Sequence, residues 1–133
     1  VAGSKSDYLE NKLLDAVFNG STWSTIANVW VALFTGTLSG DTPGTEVTGG
    51  SYARVSTAPA DWSAASSGSL TNSNAVTFPA PTANWGTVTH FGVFDASTAG
   101  NAFYYGDLTV SRTINNGDGA PSFAASAITI TEG

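Results

Sequence analysis

The 133-residue sequence predicts an all-β fold, an antiparallel sandwich or barrel of short strands, with one α-helix at its N-terminal end. Three observations carry this. Beyond residue 20 the apolar residues fall in short runs and two-residue alternations, the spacing of strands. Glycine, proline and asparagine cut those runs into strand-length pieces. One stretch alone, residues 6–18, repeats its apolar residues at helical intervals. A chain of this length buries roughly two-thirds of its unfolded surface as one domain. With no repeat, linker or low-complexity tail to divide it, residues 1–133 read as a single domain, its helix at about 6–18 and its strands between about 29 and 131.

In the helix, Leu9, Leu13 and Val17 follow one another every fourth residue, and Leu14 and Phe18 widen the stripe. Asp7 with Glu10 has the form of a capping box, both acids favouring the positive end of the helix dipole. Asn19-Gly20 ends it; Asn19-Gly20-Ser21 also matches a glycosylation sequon, which in a chain without a secretion leader is expected to be only that turn. So apolar a helix must lie on a sheet or on a neighbouring subunit.

Residues 29–35 (VWVALFT) predict a strand buried on both faces. Residues 38–50, rich in glycine and broken by Pro43, form a polar excursion with room for one strand, at Glu46 and Val47. Strands are expected again at 52–56 and at 70–78, the latter stopped by Pro79 and Pro81, which have no N–H to give a ladder. Residues 86–95 make the strongest strand, joined through a turn at 97–100 to a hairpin partner at 103–108. A further strand at 110–114, a tight turn at 115–119, an apolar Phe123 and an alternating strand at 127–131 complete about eight strands. In 86–95 strict alternation places Thr89, Phe91 and Val93 on one face and Val88, His90 and Phe94 on the other. Both faces carry bulky groups. Phe91 and Val93 are therefore assigned to the sandwich core, and His90 and Phe94 to a position beneath a cover, either the helix or a neighbouring subunit.

Composition excludes several functions. Charged residues make up 11% of the chain, against about 25% in an average soluble domain, and ten acids face four bases for a net charge of −6. Four cations cannot neutralise a nucleic-acid backbone, so no nucleic-acid partner is expected. A surface of hydroxyls and amides is cheap to desolvate between subunits. With no cysteine there is neither disulfide nor thiolate metal site, in keeping with folding in a reducing cytosol. No apolar run nears the roughly 20 residues of a membrane helix, so no membrane partner is expected.

Catalytic chemistry finds little to work with. His90 is the single histidine, mid-strand, without a nucleophile or orienting acid placed by spacing. Asp95, Asp107 and Asp118 fall near strand ends, where carboxylates cap turns. Residues 115–119 lack the alternating acids and distal glutamate of a calcium loop. The expectation is a non-enzyme with no cofactor and no metal. Trp23, Trp30, Trp62 and Trp85 with Tyr52, Tyr104 and Tyr105 could form a sugar-stacking platform, although core packing or subunit contact accounts better for most of them.

Several stretches in order resemble small structural proteins of tailed bacteriophages: Ser6-Asp7-Tyr8-Leu9-Glu10-Asn11, Val31-Ala32-Leu33-Phe34-Thr35, Gly49-Gly50-Ser51-Tyr52-Ala53-Arg54, residues 85–95 from Trp85-Gly86 to Phe94-Asp95, and Gly106-Asp107-Leu108. Members are labelled loosely as tail-fibre proteins, and the family is similar to the jelly-roll cement proteins that decorate icosahedral heads as trimers. The resemblance implies a jelly-roll-like antiparallel β-sandwich in the virion. Its leading implication is a homotrimeric capsid decoration protein, assembled in the host cytoplasm, that binds the major capsid protein on the outside of the head. A tail fibre or tail-tip subunit, or a receptor- or glycan-binding module, is the alternative. No catalytic residues come with it. Gly49-Gly50 can turn the chain sharply into Tyr52. Arg54, one of two arginines, offers a planar five-donor group that either holds carbonyls or a carboxylate across a contact or pairs locally. Arg54, Trp85, His90 and Phe94 are the candidate interface residues.

Overall fold

A computed structural model describes residues 2–24, 26–36 and 44–132. The all-β, mostly antiparallel sandwich is what it shows, with a single α-helix among the described residues. The helix, α1, spans Asp7–Phe18. Its N-cap is Ser6, whose Oγ accepts the Leu9 N–H at 3.2 Å and donates to the Ala102 carbonyl at 2.5 Å. The cap thus sits one residue earlier than the Asp7–Glu10 spacing predicts, and ties the helix start to the sheet. Asn19 and Gly20 end the helix as expected: the Asn19 and Ser21 N–H groups both reach Asp15 O, with Gly20 at φ 68°.

Nine strands are found among the described residues. They are β1 (Ala2–Lys5), β2 (Val29–Phe34), β3 (Val55–Thr57), β4 (Ser69–Thr71), β5 (Val76–Thr77), β6 (Gly86–Phe94), β7 (Ala102–Ile114), β8 (Ser122–Phe123) and β9 (Thr129–Thr131). Seven form one sheet in the order β3-β2-β6-β7-β1-β9-β4, and β5 with β8 form a small second layer. All pairs are antiparallel except β1 with β9. Residues 37–43, in the polar excursion, lie outside the described residues; Glu46 makes a single bridge to Phe34 and the Val47 N–H reaches Leu33 O.

Three expected elements come out differently. The strand at 52–56 begins only at Val55, because Gly49, Gly50 and Ser51 all have positive φ and coil the chain before it. The strand at 70–78 is two strands in different sheets. Asn72 makes the corner between them: fully buried, it donates Nδ2 to the carbonyls of Asn74 and Ala124 and accepts the Ile128 N–H on Oδ1, each at 2.9 Å. Strand β1 was hidden because Ala-Gly-Ser-Lys has no strand-like side chains; its backbone is held from both sides, by β7 and β9.

The hairpin β6–β7 dominates the large sheet. Its register runs Val88↔Arg112 and then His90↔Asp107, so Thr89 alone faces residues 108–111 of β7. The break at residue 109 between two expected strands is this irregularity within one strand. It also interrupts the alternation of faces. Val88 turns to the same side as Phe91 and Val93, which corrects its assignment beside His90 and Phe94.

That side is the main core, where Val31, Leu33, Val88, Phe91, Val93 and Ile114 meet Val76 and Phe78 beneath the second layer. The opposite face of the same strands carries a second cluster, Ala32, Phe34, Phe94, Ala102 and Tyr105. Strand β2 is therefore buried on both faces, as its run of apolar residues predicts. Gly92 makes the second cluster possible, since a Cβ there would stand 2.8 Å from Phe94 Cε1 and 3.0 Å from Phe34 Cε2.

Candidate assembly surface

The four candidate interface residues are each held by their own chain. The Arg54 side chain is only 5% exposed. Its Nε and Nη2 donate to the two carboxylate oxygens of Glu46, each at 2.8 Å. Its Nη1 donates to the carbonyls of Ala96 and Ala99 at 2.9 Å, in the β6–β7 turn. The guanidinium carbon lies 3.8 Å from the centroid of the Phe94 ring, which stacks on Phe34. Arg54 thus does both things its chemistry allows, gripping a carboxylate and carbonyls, but locally. It also covers one face of the Phe94 ring from within the chain.

The clamp extends through Tyr52, which donates its hydroxyl to Glu46 at 2.7 Å and accepts the Leu33 N–H. Burial, with Glu46 adding to it, holds the Tyr52 hydroxyl well above the ordinary tyrosine range, so it stays a donor. Trp85 is buried against the edge of Tyr52 and donates Nε1 to Gly50 O at 2.9 Å. His90 bonds Asp107 through Nε2 at 2.8 Å and Thr89 through Nδ1 at 2.7 Å. Among the acids, Asp95 accepts the Asn101 N–H and Asp118 the Asn115 N–H, the turn-capping role expected at strand ends. Among the described residues no group of three or more His, Asp or Glu is placed to hold a metal.

What the surface does offer is apolar. Of the large hydrophobic residues exposed among the described residues, four belong to α1: Leu13 at 38%, Leu14 at 56%, Val17 at 71% and Phe18 at 78%; the fifth is Val110. Only Leu9 of the helix is buried. The stripe therefore does not lie on the sheet as one of the two expected placements has it. Spacing alone showed the stripe; it could not show that the sheet seats only the helix's first turns, which depends on where Ser6 anchors it.

Beside the helix start an apolar cleft of about 290 Å³ is lined by residues that include Leu9, Trp23, Ile26, Trp62 and Tyr104. The indole of Trp62 already donates to Thr57 Oγ1 at 2.9 Å, so the cleft has few polar groups with which to orient a sugar. At its edge Glu132 accepts from Lys5 Nζ at 2.5 Å and from the Tyr104 hydroxyl, tying β1, β7 and the chain beyond β9 together. Partial burial pushes the Glu132 carboxyl up, but the hydrogen bonds from Lys5 and Tyr104 outweigh it and hold the group below its ordinary value. A depressed carboxyl stabilises the fold above its unfolded pKa, about 4.3, and that contribution fades as pH falls through the lower folded value. Thermal melts from pH 7 down to pH 3 should therefore fall less steeply for Glu132→Gln than for the unchanged protein below about pH 4.3; equal slopes would show that this cluster is not linked to folding.

A family model described as "Podophage GP4 fiber I protein gp80" matches residues 4–131. A search of curated proteins returns no match.

Proposed function

The chain belongs to the podophage GP4 fiber I protein gp80 family, and from that premise we propose that it is a non-enzymatic fibre subunit that works by adhesion alone. The role in the virion, as a structural protein of a tailed phage, follows from the family itself. The match over residues 4–131 carries the choice of a fibre. It favours a fibre over a decoration protein seated on the major capsid protein of the head, the reading to which the resemblance first leads. The organisation of the side chains supports an adhesive rather than a chemical role. The single histidine is tied to Asp107 and Thr89, and the clamp of Arg54 is spent on Glu46 and the hairpin turn. A homotrimer is the oligomeric state proposed with this reading.

Gold-labelled antibody against this chain, applied to particles of the phage that encodes it, tests the reading. Label confined to fibres is the expected result. Label distributed over the head lattice would assign the chain to capsid decoration instead, and unlabelled particles would remove it from the virion. A hydrolase screen on purified fibres should show no turnover that the Glu46→Gln or His90→Gln protein loses.

A further inference from the structure

We propose that the cleft between the first turns of α1 and the chain that follows the helix is a carbohydrate-binding site, taking one neutral sugar ring against Tyr8 and Trp23. The inference rests on the reading as an adhesive fibre subunit and names what such a subunit grips. The two fail separately, because particle labelling decides the first and sugar binding by the purified chain decides the second.

The cleft is built on Phe103 of β7, which is buried. Tyr8 of α1 meets that ring with centroids 6.0 Å apart and planes at 42°. Trp23, in the chain beyond the helix, meets it at 6.3 Å and 51°. Both Tyr8 and Trp23 are half-buried, so each keeps aromatic surface in water. The space they line measures about 230 Å³, below the roughly 300–1,000 Å³ of pockets for drug-sized ligands and suited to a single ring. It shares Trp23, Ile26 and Phe103 with the larger apolar cleft, so a second ring of the same glycan would find apolar surface beside the first.

The polar groups of this cleft are unspent, whereas most comparable groups in the chain are satisfied internally. Tyr52 and Tyr104 donate their hydroxyls to glutamates, Trp62 and Trp85 donate their indole N–H groups to oxygens, and Lys5 and Arg54 pair with carboxylates. Among the described residues the Tyr8 hydroxyl, the Trp23 indole N–H and the Lys12 ammonium have no such partner; Lys12 Nζ lies 5.7 Å from the centroid of the Tyr8 ring. Across the cleft Asp95 accepts one bond from Asn101 on each carboxylate oxygen, which leaves lone pairs on both.

Aromatic walls with donors and an acceptor at the rim complement a pyranose. One face of such a ring carries C–H groups that lie on aromatic surface, and its hydroxyls both donate and accept at the edge. An aromatic side chain of a protein partner would use the walls but leave the rim groups desolvated and unpaired. Charge makes the ring neutral. An acidic sugar that met Lys12 would also meet Asp95, on a chain of net charge −6.

Titrating the isotope-labelled whole chain with the methyl glycosides of glucose, galactose, mannose and N-acetylglucosamine tests the site by nuclear magnetic resonance. At least one glycoside should move the Trp23 indole N–H signal and saturate at millimolar concentration, while the signals of Trp62 and Trp85, bonded within the chain, stay in place. Tyr8→Phe should weaken that binding roughly 2–10-fold, the worth of one hydrogen bond, with the melting temperature unchanged. Lys12→Ala, at an exposed position, should weaken it by a similar factor. No shift at Trp23 with any of these glycosides overturns the proposal, as does binding that neither variant alters. Tighter binding of glucuronate than of methyl glucoside would make the cleft an anion site. A shift given by tyrosine amide and by no sugar would make it a socket for a protein side chain. Either result also overturns the proposal.

Discussion

Phe91→Ala should lower the stability of the domain by about 3–5 kcal/mol, the range for truncating a buried aromatic side chain. Phe91 has no exposed surface and packs edge-on against Phe123 of the second layer, with ring centroids 6.0 Å apart. Phe123 in turn meets Phe78, and Phe78 stacks with Tyr52, so removing the Phe91 ring opens a void where the two layers touch. The small layer has only two two-residue strands and cannot follow a retreating core without losing its own ladder. Chemical denaturation monitored by tryptophan fluorescence gives the difference directly. A loss below about 1 kcal/mol would mean that the layers collapse onto the void, and that the core is less tightly packed than these contacts require.

How much of this was legible before the structure depended on the kind of signal. The stripe of α1, the doubly buried run of β2 and the strong strand β6 were legible because apolar periodicity is written into the side chains. The assignment of Phe91 and Val93 to the core followed from alternation over residues where the ladder is regular. Val88 was misplaced because Thr89 stands opposite four residues of β7, and side chains near a register shift do not announce it. Strand β1 could not be read, since what places it is backbone pairing with β7 and β9 rather than anything in Ala-Gly-Ser-Lys. Asn72 was missed for a related reason. A buried amide looks like a loop asparagine until the three backbone groups it satisfies are brought together from residues 74, 124 and 128. Among the candidate interface residues, the chemistry of Arg54 marked it as a grip for a carboxylate and carbonyls, but spacing could not show that Glu46, the β6–β7 turn and the Phe94 ring lie within its reach.

That pairing leads to the second large effect. Arg54→Leu should cost about 3 kcal/mol, the low end of the range for removing one partner of a buried ion pair, because the Glu46 side chain keeps 25% of its surface exposed. The change leaves Glu46 with Tyr52 as its remaining side-chain partner and takes from the Ala96 and Ala99 carbonyls the donors that hold the turn. Arg54→Lys should cost less, about 1–3 kcal/mol, because it keeps the charge but cannot bond two carboxylate oxygens and two carbonyls from one plane. Phe94→Ala removes the ring beneath the guanidinium and the face that stacks on Phe34, so it should cost about 3–5 kcal/mol in its own right. If Arg54 and Phe94 form one unit, the double variant Arg54→Leu/Phe94→Ala will lose less than the two single losses together, by roughly 1–2 kcal/mol. Mass measurements separate this account from one in which the two residues hold a neighbouring subunit. An internal clamp predicts lower melting temperatures with the association state unchanged. Full stability with loss of association would assign Arg54 and Phe94 to a contact between copies instead.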